Sequence, residues 1–133
     1  MRKIAIALIA ATLAAGATSA QARPRLTGEE QLAKMLEGRE AGKPVSCISM
    51  SDSRDQTVID KTALVYKSGN TLWVNRPRNA DQLDDDDILV TYPTGGSFCR
   101  LDRVQTVDRP GHFVTGFLML EDFVPYRRVA ARD

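Results

Sequence analysis

One histidine, two cysteines and a run of four aspartates set the limits on what chemistry this chain can do. With His112 the sole imidazole, zinc sites of two or three histidines and an H-E-x-x-H helix are excluded within one chain. Two cysteines fall short of the four thiolates of a zinc ribbon. A serine–histidine–acid triad would have to use His112. Triads are set by geometry and not by sequence order, but His112 lies in the turn Arg109-Pro110-Gly111-His112, an ordinary place for a surface histidine. Gly42-Lys43 runs into Pro44, so there is no phosphate loop, and Gly96-Ser97 lacks the second glycine of a nucleophile elbow. A pair among the seventeen acids could serve glycoside hydrolysis, but no spacing singles one out.

Asp84, Asp85, Asp86 and Asp87 offer hard oxygen ligands at a density that invites a calcium reading. The EF-hand template fails, because four consecutive acids lack its alternation, its glycine and its closing glutamate. The competing reading is a solvated acidic turn before a strand, since charge runs mostly stay in water. Arg76 and Arg78 precede the run and suit carboxylate or phosphate; pairing with the nearby aspartates is the simpler account. Tyr66, Trp73, Tyr92 and Tyr126 could form an aromatic face, with core packing as the default for those inside strand patterns. No cofactor is expected.

The start of the chain carries a leader pattern. Arg2 and Lys3 form a basic opening, Ile4 to Ala15 is apolar apart from Thr12, and Ala20-Gln21-Ala22 fits a cleavage site before Arg23. Residues 1–22 therefore read as a signal peptide. The apolar run is too short for a spanning helix, and no membrane span is expected after cleavage. The expected compartment is the periplasm or beyond. There Cys47 and Cys99 should form a disulfide closing a loop of about 53 residues, which stabilises by roughly 4 kcal/mol in the chain-entropy model. A redox dithiol would instead want C-x-x-C. Eighteen basic and seventeen acidic residues give +1, and loss of Arg2 and Lys3 makes the remainder slightly acidic. Such a balance excludes a nucleic-acid binder that works by bulk charge.

These residues must be positioned by one domain over 26–133, preceded by a flexible arm at 23–25. The spacing predicts a helix over 26–41: Thr27 and Glu30 make a capping box, Leu32, Met35 and Leu36 form a narrow apolar stripe, and Gly42 and Pro44 end it. Beyond Pro44, short β-prone runs alternate with turns. Lys67-Ser68-Gly69-Asn70 is the best hairpin signal. Phe113–Leu120 is apolar on both alternating faces and reads as the central, most buried strand. The expected fold is mainly β, α+β at the margin: one helix, then an antiparallel barrel or small sandwich of about seven to nine strands with one disulfide. Glutamine-threonine-valine recurs after each cysteine, at 56–58 and 105–107; without a fixed period, chance is the simpler account than two related hairpins.

The strings Gly42-Lys43-Pro44-Val45-Ser46-Cys47-Ile48, Val74-Asn75-Arg76-Pro77 with the acidic run through Val90, and Gly116-Phe117 through Val124-Pro125-Tyr126 resemble a family of small, exported, uncharacterised proteobacterial proteins. The resemblance implies an exported single domain and carries no activity, ligand or residue role. The leading functional expectation is a non-enzymatic periplasmic module that binds a protein or small ligand through a curved β surface. Candidate contacts are Arg76, Arg78, Gly95, Gly96 and His112. A sharper version is an inhibitor of a secreted lysozyme or protease, acting through the turns Pro93–Ser97 and Arg109–His112. The rival is a small hydrolase using His112 or a carboxylate pair.

Overall fold

The computed structural model describes residues 22–130. The leader expected over 1–22 lies, but for its last residue, outside them. The elements are α1 (Gly28–Met35), β1 (Arg39–Ala41), β2 (Cys47–Ser49), β3 (Gln56–Ile59), β4 (Ala63–Ser68), β5 (Thr71–Asn75), β6 (Ile88–Tyr92), β7 (Ser97–Cys99), β8 (Arg103–Val107), β9 (Val114–Leu118) and β10 (Val124–Arg128), with a 3₁₀ turn at Ala80–Gln82. All strand pairs are antiparallel. They form a five-stranded sheet in the order β1-β10-β5-β4-β3, a three-stranded sheet β6-β8-β9 and a pair β2-β7.

The barrel expectation is wrong, because these sheets stay open. β3 ends the large sheet and β6 ends the small one, and the two are not paired. What forms is a mostly β domain in layers. The period-2 alternation of β4 shows why: Ala63 and Val65 pack with Leu32 of α1, while Leu64 and Tyr66 pack with Phe98, Val104, Leu118 and Phe123. The large sheet is thus the middle layer, covered by the helix on one face and by the smaller sheets on the other. A fully buried strand reads as a continuous apolar run, and Ala63-Leu64-Val65-Tyr66 is such a run.

The predicted capping box is present: the Glu30 N–H donates to Thr27 Oγ1 at 3.2 Å, and the Thr27 N–H donates to Glu30 Oε2 at 2.7 Å. The helix stops at Met35, however, well short of residue 41. Gly38 takes φ 69°, a left-handed conformation that glycine adopts freely. The turn frees Arg39–Ala41 to pair with Tyr126–Arg128, giving a strand that the helical reading concealed. The hairpin at Gly69 is as expected, with Ser68 opposite Thr71 and Gly69 at φ 55°.

The strand expected to be central is instead an edge. β9 pairs only with β8, and Phe117 and Met119 are 49% and 54% exposed. The two glutamine-threonine-valine segments also part company, since β3 borders the large sheet and β8 centres the small one. No helix of the described residues is long and apolar enough to cross a membrane.

Candidate functional site

Alternation along the three-stranded sheet sorts its residues into two sets. Leu89, Val104 and Leu118 face the core, and Thr106 is buried on the same side. The register places Ile88 opposite Val107, Val90 opposite Gln105, Tyr92 opposite Arg103, and on the other side of β8 Phe117 opposite Gln105 and Val114 opposite Val107. These residues therefore share the outer face, and Tyr92, Val114 and Phe117 are exposed on it. Ile88, Val90 and Val107 are only half covered. Met119 continues the row beyond β9 and, with Leu101 at 86% exposure, lines a shallow hollow beside Arg78, Arg100 and Arg103. Contiguous exposed apolar surface of this kind marks interaction sites. At one corner the Arg103 guanidinium lies 4.4 Å over the Tyr92 ring, and the Tyr92 hydroxyl donates to Gln105 Oε1 at 2.8 Å. No carboxylate of the described residues forms a salt bridge with Arg103.

The edge of β9 is not a free template. Asn79 Nδ2 donates to the Phe117 carbonyl at 2.7 Å, and the Met119 N–H donates to Asn79 Oδ1 at 2.8 Å. The Arg78 N–H donates to the Met119 carbonyl at 2.9 Å. Blunted in this way, the edge does not invite strand addition. The apolar face is what remains open.

Cys47 and Cys99 are bonded and stand directly opposite each other on β2 and β7, with Cα atoms 4.0 Å apart. Beneath them Asp102 is 4% exposed. Its carboxylate accepts from the Cys99 N–H at 2.7 Å, the Thr94 N–H at 3.2 Å and the Thr94 hydroxyl at 2.9 Å. These bonds fix the Pro93–Ser97 turn, on which Gly95 and Gly96 face open space. Nothing in the sequence singles out Asp102; its signal is an acid immediately before a strand and three residues after a cysteine, too common to stand out.

The other sequence-predicted residues are dispersed. Arg76 forks onto Glu29 at 2.6 and 3.0 Å, tying β5 to α1. That hydrogen bond holds Glu29 below the ordinary carboxyl range and raises Arg76. Arg78 Nε bridges Glu121 at 2.6 Å. No two of Arg76, Arg78, Gly95, Gly96 and His112 line the same described cleft. His112 is exposed at φ 53°, and its N–H donates to the Asp108 carbonyl at 2.9 Å. Its imidazole makes no hydrogen bond to a described residue, so the partners a triad needs are not in contact with it. The aromatic residues do not share a face either. Tyr66 and Trp73 pack into one core, Tyr126 into the other, and Tyr92 lies on the outer sheet face.

Asp84–Asp87 forms a turn leading into β6. Asp84 Oδ1 accepts the Asp86 N–H at 2.9 Å, and Asp87 Oδ2 accepts the Thr115 hydroxyl at 2.9 Å. Carboxylate oxygens of Asp60, Asp84 and Asp85 come within 4.8 Å of one another. Two of the four aspartates are thus committed to hydrogen bonds within the fold, Asp84 closing its own turn and Asp87 tying that turn to β9.

No family model, curated protein or solved structure matches the chain. Its class is defined by the fold and the surface alone: a mostly β domain with one short helix, one disulfide and an uncovered apolar sheet face.

Proposed function

We propose that the protein is an exported, non-enzymatic binding module that holds a protein partner on the outer face of β6-β8-β9. The uncovered apolar row of Val114, Phe117 and Met119 carries this reading. The partner has an apolar centre and a carboxylate opposite Arg103, since that guanidinium lies over the Tyr92 ring and forms no salt bridge with a described acid. Aromatic and arginine side chains of this kind dominate interface energetics. Export rests on the leader pattern at 1–22. The test is capture from a periplasmic extract with immobilised protein, compared with Phe117→Glu. A partner retained by the native chain and lost with F117E supports the reading. Equal retention by both overturns it, and concentration-dependent self-association lost in F117E assigns the face to a second copy instead.

The rigid Pro93–Ser97 turn supports a second reading, inhibition of a secreted lysozyme or protease. A loop already fixed by Asp102 loses little entropy on binding. Inhibition at micromolar excess, weakened by Asp102→Ala, is the expected result; no inhibition of either enzyme class removes it.

A further inference from the structure

The failure of the sheets to close leaves an opening of its own. Between β3, which ends the large sheet, and β6, which ends the small one, lies a cleft of about 500 Å³. Pockets for small molecules fall in the range of roughly 300–1,000 Å³. Its lining includes Tyr66, Leu89 and Phe98, with Gln56, Thr91 and Arg54. The apolar part is rigid: Tyr66, Phe98 and Phe123 contact edge to face, with ring centroids 5.3–6.0 Å apart.

Two polar groups in this cleft have no use within the fold. Tyr66 is 1% exposed, yet its hydroxyl makes no hydrogen bond to a described residue. No described side-chain polar atom is sealed off without a partner, so this hydroxyl reaches the cleft. Burial also pushes its ionisation up, which keeps it a neutral donor. Arg54 is exposed on the lining and forms no salt bridge with a described carboxylate. A buried donor at one place and a free guanidinium at another, joined by an aromatic wall, define a complementary shape.

We propose that this cleft binds a small aromatic carboxylate carrying a second oxygen on its ring. The carboxylate meets Arg54, the ring lies against Phe98 and Leu89, and the second oxygen accepts from the Tyr66 hydroxyl. This site is separate from the partner face, because Leu89 and Thr91 occupy the opposite side of β6 from Ile88, Val90 and Tyr92.

The test is a backbone-amide NMR titration of the purified protein with 4-hydroxyphenylacetate, phenylacetate and 4-hydroxyphenylacetamide. Saturable shifts at Gln56, Tyr66, Leu89 and Phe98, with a dissociation constant near ~1 mM, are expected for the first. Loss of the ring oxygen should weaken binding about fivefold, the worth of one hydrogen bond. Loss of the carboxylate should weaken it about threefold, as for an exposed ion pair. Tyr66→Phe should abolish the first discrimination and Arg54→Gln, a surface change that leaves the core intact, the second. No saturation by about 10 mM, shifts centred on Phe117 and Met119, or discrimination unchanged in both variants would overturn the proposal.

Discussion

The five-stranded and three-stranded sheets are built from similar residues, yet they differ in what covers them. The large sheet is sealed on both faces, by α1 with Leu32 and by the aromatic cluster around Phe98. The small sheet is sealed on one, and its other face presents Tyr92, Val114 and Phe117 to solvent. Apolar alternation alone does not distinguish a strand that is buried twice from one whose second face awaits a partner. The difference separates the part of the molecule that holds itself together from the part available to bind.

The contrast can be broken most severely at matched aromatic positions. Phe123 is fully buried in the core, whereas Phe117 lies on the open face. Phe123→Ala should cost about 3–5 kcal/mol in urea unfolding, and Phe117→Ala about 0.5 kcal/mol or less. A large loss at Phe117 would mean that the outer face is covered within the chain. Next in size is the Cys47–Cys99 bond that ties β2 to β7. Replacing both cysteines with serine should cost about 2–4 kcal/mol by releasing the unfolded chain. If the double variant melts with the native protein, the cross-link is not what holds this pair against the core.

A smaller effect is expected at Asp102. Asp102→Ala removes the buried acceptor of the part-buried hydrogen bonds from the Cys99 and Thr94 N–H groups, at about 1–3 kcal/mol. Limited proteolysis should then open the Pro93–Ser97 turn, while cleavage elsewhere stays unchanged. The smallest effect is acid sensitivity on the helix side. Arg76 on Glu29 and the Thr27 N–H on Glu30 hold both carboxyls below their ordinary value of 4.5. A carboxyl lowered in the folded state binds its proton more readily in the unfolded one. Its stabilisation is therefore complete above about pH 4.5 and is lost as the pH falls through the folded values. Hydrogen exchange should show α1 loosening before β8 as acid is added, and Glu29→Gln should flatten that response.

Much of the large sheet was legible because its determinants are local. Thr27 and Glu30 announce the helix start, and Gly69 announces the hairpin of β4 and β5. The helix end was not legible, since Arg39–Ala41 becomes a strand only by pairing with residues far along the chain. The rank of β9 was misread for the same reason. Phe113–Leu120 carries enough apolar character for a central strand, and its edge position is set by Arg78 and Asn79 occupying the ladder beside Phe117 and Met119. The site was less legible still. Arg76, Arg78 and His112 stood out by type, yet the surfaces that emerge use Arg103 and Tyr92 on one side and Tyr66 and Arg54 on the other. Their roles come from lacking a partner, which no sequence pattern records.

Oxidative side-chain footprinting reads the open face directly. In the purified protein Phe117 and Met119 should label promptly while Phe123 and Tyr66 stay protected. Adding periplasmic extract should then protect Phe117 and Met119 alone. Protection of these two residues in the isolated protein, or identical labelling with and without extract, would contradict the account.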